Sequence, residues 1–125
     1  MSSNQQLPPF VQEQLAKFQQ TQQNFQSILM QKQQLESEKH ETEKALEELK
    51  KAGDDELVFK HAGSIMIKSN KKDLIEELEE QIELAKTKSS LLVKQEERLK
   101  TTLKEQETKI QEMIQNSSTN TKPPK

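Results

Sequence analysis

The side chains that could carry out acid–base or metal chemistry are few and scattered in this sequence. The chain of 125 residues has no cysteine and only two histidines, His40 and His61, which fall in different predicted elements. Asp and Glu number 21, but an open polar surface would not bury one of them enough to shift its pKa for catalysis. There is no GxxxxGK[ST] loop for ATP. We therefore expect no catalytic residue, no metal site and no cofactor.

Apolar side chains suited to assembly are concentrated in one short stretch, LVFKHAGSIMIKS, at residues 57–69. A turn around residues 62–64 joins two runs of strand-forming residues, which predicts a β-hairpin. The length of the loop is open between two and three residues, and a two-residue loop of Gly63 and Ser64 would change the strand pairing. A three-residue loop would place four apolar side chains on one face: Leu57, Phe59, Ile65 and Ile67.

Two long segments flank this stretch, at residues 9–52 and 71–115, and neither contains a glycine or a proline after Pro9. In each, apolar residues recur at alternating spacings of three and four, which predicts a coiled-coil seam. The first predicted seam consists of Val11, Gln14, Phe18, Thr21, Phe25, Ile28, Lys32, Leu35, Lys39, Thr42, Leu46 and Leu49. Leu15 and Leu29 widen it. The second consists of Ile75, Leu78, Ile82, Ala85, Ser89, Leu92, Glu96, Leu99, Leu103, Gln106, Ile110 and Met113.

The predicted organisation is one domain at residues 9–115 between disordered tails at residues 1–8 and 116–125. Gly53 is expected to end the first helix as a left-handed cap. Ser69 or Asn70 is expected to cap the second helix, with Asp73 in its first turn. Because the helices are equally long and closely connected, they should fold back as an antiparallel coiled coil. The predicted fold is therefore dominated by α-helix, with one β-hairpin between two long helices.

Composition excludes several classes of protein. Only 30% of the residues are hydrophobic, which is too few for a large compact core. The net charge is −2, with basic and acidic residues interleaved, so nucleic-acid binding is not expected. No apolar run approaches the length of a membrane span, and the N-terminus lacks the pattern of a signal peptide. We expect a soluble cytoplasmic chain without a nucleic-acid or membrane partner.

The predicted hairpin should be an oligomerisation device. An isolated two-stranded hairpin is marginal in water, and its unpaired edges recruit other strands. Alternatively, the hairpin could fold back onto its own coiled coil, or the stretch could be a disordered loop. The residues expected to join chains are Leu57, Val58, Phe59, Ile65, Met66 and Ile67.

Five segments together resemble the β-type subunit of prefoldin, in particular its archaeal form. They are PPFVQEQLAKFQQTQQNFQSILMQKQQLE, ETEKALEELKKA, VFKHAGSIMIK, KKDLIEELEEQIE and KQEERLKTTLKEQETKIQEM. The resemblance covers roughly residues 7–114, and the segments 58–68 and 94–99 are its most specific parts. One hairpin, rather than two, is typical of the β class.

The resemblance implies a hexamer of two α-type and four β-type subunits, whose hairpins form a barrel platform from which the coiled coils project. Such an assembly holds non-native proteins without ATP and delivers them to a group II chaperonin. The expected partners are therefore an α-type subunit, other copies of this chain, non-native proteins and that chaperonin.

Client contacts are expected where the helix termini should meet. Flexible apolar patches suit a partner with no fixed order of side chains. The candidate residues are Leu7, Phe10, Val11, Leu15, Ile110, Met113 and Ile114. Alternatively, these residues, Val11 and Ile110 above all, simply close the end of the coil. The competing function is a structural coiled-coil protein that oligomerises without binding clients.

Overall fold

The computed structural model describes residues 7–121, with side chains as far as residue 116. Two long helices, α1 (Pro9–Lys51) and α2 (Lys71–Thr121), flank two strands, β1 (Val58–Ala62) and β2 (Ile65–Ser69). The strands pair antiparallel into a two-stranded sheet. The predicted fold class is confirmed.

The chain divides into two compact units. The first unit combines Met1–Met30 with Lys94–Lys125, so it contains the start of α1 and the end of α2. The second unit is residues 31–93, which hold the end of α1, the hairpin and the start of α2.

The seam predictions are confirmed in both helices. Every predicted seam position of α1 and α2 is buried or half-buried, and Leu15 and Leu29 are half-buried beside the first seam. Gln, Glu and Lys occupy most of the remaining positions, where they favour helix and stay solvated. In the first unit, Val11 is 0% and Ile110 7% exposed, and in the second unit Ile82 is 9% and Ala85 8% exposed.

The end of α1 is held by side chains rather than by a left-handed glycine. Gly53 does not have a positive φ, so the predicted left-handed cap is wrong. Instead, the Gly53 N–H donates to Glu56 Oε1 at 3.0 Å, and Lys71 Nζ donates to the Ala52 carbonyl at 2.7 Å. An ammonium group satisfies a terminal carbonyl and opposes the negative end of the helix dipole. With these two partners, α1 can end without a left-handed residue.

Of the two residues expected to cap α2, Asn70 does so. Its Oδ1 accepts the N–H of Asp73 at 2.8 Å, and its Nδ2 donates to Asp73 Oδ2 at 2.9 Å. The two residues thus form a reciprocal cap related to the capping box.

The second helix runs further than predicted. It continues to Thr121, so the expected disordered tail is wrong for residues 116–121. Asn, Ser and Thr are weak helix formers, but each costs only a few tenths of a kcal/mol, and no glycine or proline interrupts the helix before Pro123. The rest of that tail, residues 122–125, and residues 1–6 of the other predicted tail lie outside the described residues.

The hairpin has a two-residue loop, which is one of the two loop lengths that the sequence left open. Ala62 pairs with Ile65 around Gly63 and Ser64. Gly63 has a φ of 66° and Ser64 does not have a positive φ, which fits a type II′ turn. In this register Phe59 lies on the opposite face from Ile65 and Ile67. The face shared by all four residues, which a three-residue loop requires, does not form.

Candidate functional site

The first strand of the hairpin lies against the two helices of the second unit. Lys60 Nζ on β1 is 2.6 Å from Glu77 Oε1 on α2, and both side chains are half-buried. A groove of about 670 Å³ separates β1 from the helices. Residues 58–61 of β1 line it together with residues of α1 and α2, and no residue of β2 does. The ion pair links β1 to α2 across this groove within the second unit.

The apolar side chains of the hairpin are mostly uncovered in the single chain. Val58 is half-buried, whereas the other five predicted oligomerisation residues are 45–68% exposed. Those five are Leu57, Phe59, Ile65, Met66 and Ile67. Clusters of exposed large apolar side chains are typical of interaction surfaces, and oligomerisation through the hairpin stays a prediction.

The helix ends of the first unit carry the predicted client residues, and burial divides them into three groups. Phe10 is 51% and Ile114 41% exposed. Leu7, Leu15 and Met113 are half-buried. Val11 and Ile110 are packed into the core of this unit. Their burial fits the alternative in which they close the end of the coil, while client contact at this surface stays a prediction.

Four exposed residues with large apolar side chains, in the part of the chain that the structure describes, were not predicted. They lie outside both seams, at Met30 on α1 and at Leu84, Leu91 and Val93 on α2. Leu84 and Leu91 are one heptad apart and more than half exposed. Apolar residues that repeat at heptad spacing off the seam are the sequence signal that could have found this pair.

The titratable groups are dispersed. His40 is exposed on α1 and His61 is exposed on β1. Among the described residues, no group of three His, Cys, Asp or Glu side chains could hold a metal ion. A helix long and apolar enough to cross a membrane is likewise absent from residues 7–121.

When the sequence and the structure are compared with known proteins, both match prefoldin subunits. The sequence model of one family, described as "Prefoldin subunit", matches residues 12–117. The prefoldin subunit beta of Methanococcoides burtonii is 46% identical over 93 residues, which cover 74% of this chain and 80% of the relative. That of Archaeoglobus fulgidus is 40% identical over 108 residues, covering 86% and 93%.

The crystal structure of the prefoldin beta subunit from Thermococcus strain KS-1 superimposes with a TM-score of 0.73. It is 34% identical, and the alignment covers 96% of this chain and 99% of that one. The chain therefore belongs to the prefoldin subunit family of co-chaperones, and the relatives compared here are β subunits. The resemblance found in the sequence is confirmed.

Proposed function

We propose that this chain is the β-type subunit of a prefoldin co-chaperone of the cytoplasm. Four copies assemble with two α-type subunits through their hairpins. The assembly binds non-native proteins at the helix ends of the first unit and passes them to a group II chaperonin. It does so without ATP, and no catalytic step is assigned to the chain.

The observation that carries the assembly is the exposure of the hairpin. Fully burying one large aliphatic or aromatic side chain contributes about 1.5–3 kcal/mol, and five such side chains of the hairpin are about half exposed or more. Water is a poor environment for this surface, whereas the hairpins of neighbouring subunits could cover it. The family membership supports the same conclusion.

The client site rests on the exposed apolar side chains at the helix ends. Phe10 and Ile114 present large apolar surfaces, and half-buried Met113 adds a side chain that adapts its shape to different partners. Each contact with an unfolded segment is weak. Repetition of the site on several subunits would strengthen binding through multivalency.

A paired substitution tests the client site. Phe10→Ser combined with Ile114→Ser should leave the mass of the native complex unchanged and should reduce its suppression of client aggregation several-fold. The matched control is Met30→Ser, which removes an exposed apolar residue of the same unit away from the helix ends. Equal suppression by the double variant and the wild type, with the complex intact, would show that clients bind elsewhere.

Native mass spectrometry of the complex purified through a tag on this chain tests the assembly. We expect a particle of six chains, with this chain present in four copies beside two of an α-type partner. A dimer of this chain alone, or an open-ended polymer, would contradict the proposed stoichiometry.

One observation favours the second candidate, a structural coiled-coil protein without clients. Val11 and Ile110, two of the predicted contact residues, are buried in the core of the first unit. If the helix ends serve only to close the coil, the double variant will lower thermal stability and leave aggregation suppression unchanged.

A further inference from the structure

The two strands of the hairpin differ in what surrounds them. In β1, burial alternates along the strand, with Val58, Lys60 and Ala62 half-buried and the residues between them exposed. The Lys60 ammonium is held by Glu77, and His61 follows it. A strand that lies beside helices and has charged or polar groups at its middle is a poor template for a second strand.

The second strand has the opposite character. Ile65, Met66 and Ile67 are consecutive and are 59%, 60% and 45% exposed. Since neighbouring side chains in a strand point to opposite faces, β2 is apolar and uncovered on both faces. A strand of this kind is typical of the interior of a sheet that is covered on both sides.

The main-chain groups of β2 also identify what could bind there. The type II′ turn joins Ala62 and Ile65 as its hydrogen-bonded ends, and hydrogen-bonded pairs alternate with non-hydrogen-bonded pairs along an antiparallel ladder. His61 and Met66 form the next pair, so the N–H and C=O groups of Met66 point to the free edge of β2. The N–H and C=O groups of Lys68 also point to this free edge. Another extended strand is the partner that satisfies such a row of groups.

We propose that the free edge of β2 pairs antiparallel with β2 of a second copy of this chain, centred on Met66. This inference rests on the proposed function, because it names the edge through which two β-type subunits of the assembly meet. In this register Ile65 of each copy lies opposite Ile67 of the other, so that the contact is self-complementary about a two-fold axis.

Charge favours this register over its neighbours. Lys68 is the only charged residue of β2. With the pairing centred on Met66, the two Lys68 residues are separated by about 14 Å along the strands, at about 3.4 Å per residue, which exceeds the Debye length of about 8 Å at physiological salt. A register centred on Lys68 would place the two ammonium groups opposite each other, which is destabilising.

Disulfide cross-linking tests the inference against a clean background, because the chain has no cysteine. The test variant is Met66→Cys and the matched control is His61→Cys. These two positions are direct cross-strand partners, so they share a face and a level of the hairpin and differ in the edge on which they lie. Both variants are prepared in the complete assembly and oxidised, and the products are separated on a non-reducing gel.

We expect the Met66→Cys variant to form a covalent dimer of this chain as its main product and the His61→Cys variant to remain monomeric. Directly opposed residues of an antiparallel pair lie about 5.5 Å apart at Cα, within the range that a disulfide spans. A dimer from His61→Cys alone, equal dimer from both, or none from either in an intact assembly would overturn the inference.

Native mass and aggregation suppression, measured before oxidation, separate the inference from the proposed function. An intact, active assembly without a cross-link would contradict the β2 pairing alone. Failure of the wild-type chain to assemble would contradict the proposed function.

Amide hydrogen exchange of the wild-type assembly gives a second measurement that requires no substitution. The N–H groups of Met66 and Lys68 should exchange slowly, because the partner strand accepts their hydrogen bonds. Exchange of both at the rate of free amides would overturn the pairing.

Discussion

The helix ends of the second unit are capped by side chains, whereas Pro8, the N-cap of α1 in the first unit, has no side-chain acceptor. In the second unit, α1 ends with Lys50 and Lys51 and receives a hydrogen bond from Lys71, and α2 begins with the reciprocal cap of Asn70 and Asp73. In the first unit, α1 has no acidic residue in its first turn, and α2 has no basic residue in its last turn. Among the residues of the terminal turns, charge therefore opposes each helix dipole only at the end that lies in the second unit.

Both units have buried apolar seam residues, and the first unit also has one buried polar group without a described partner. The most buried seam residues of α2 in the second unit are Ile82 and Ala85, both apolar. In the first unit, Oε1 of Gln106 is buried in the seam and accepts no hydrogen bond from the described residues. One heptad pattern thus includes a unit with side-chain caps and the hairpin, and a unit with a buried amide oxygen and the exposed Phe10 and Ile114. The difference shows that one repeating seam can continue through regions whose caps and buried polar groups differ.

The largest effect that bears on this comparison is expected from Gln106→Leu. The substitution removes a buried acceptor without a partner and fills the seam with an apolar side chain, so the free energy of unfolding should rise by about 1–2 kcal/mol. Thermal unfolding followed by circular dichroism measures it. The control is Gln111→Leu at an exposed position of the same helix. A lower melting temperature for Gln106→Leu than for wild type would show that the amide is satisfied in solution.

Asn70→Ala should lower the free energy of unfolding by about 1 kcal/mol, because it removes the side chain that accepts the Asp73 N–H. Its neighbour provides the control: Ser69→Ala should change stability little, since Ser69 is not the cap. The same melting experiment measures both variants. Equal losses for the two would mean that the cap is shared or slips between them.

The smallest effect is expected where the first unit lacks a cap. The Pro8 carbonyl accepts the N–H groups of Val11 and Gln12, so Pro8 is at the N-cap of α1, but it has no side-chain acceptor. Pro8→Asp should add about 0.5 kcal/mol of stability through a cap and a favourable charge. It should slow amide exchange in the first turn of α1.

Pro8→Ala removes the proline without adding an acceptor and controls for the loss of the ring. If Pro8→Asp and Pro8→Ala exchange at the same rate in that turn, the end of α1 is not limited by its missing cap.

Much of the fold could be predicted because spacing and residue type act locally. Alternating spacings of three and four place one face of a helix against its partner whatever the rest of the chain does. Every predicted seam position is indeed buried or half-buried. The cap of α2 could be narrowed to Ser69 or Asn70, because few side chains can accept a first-turn N–H. Strand-forming residues around Gly63 were sufficient to predict a hairpin.

Two predictions about helix ends were wrong, those for the cap at Gly53 and for the last residue of α2. Gly53 does not adopt the left-handed conformation, because Glu56 and Lys71 supply the groups that complete the end of α1. Lys71 is far along the chain, so its proximity cannot be deduced from local sequence. The end of α2 was placed too early, since weak helix formers extend a helix that is already nucleated.

The amino-acid sequence alone was sufficient to define two heptad seams, one hairpin between them and the apolar residues that we propose for assembly and for client contact. Which of those residues stay exposed depended on the folded chain. Folding buried Val11 and Ile110, left Phe10 and Ile114 accessible, and placed β1 beside the helices across a groove, with β2 uncovered. The physical reason is that residue type fixes how much a side chain gains from leaving water, whereas burial depends on what the rest of the folded chain places beside it.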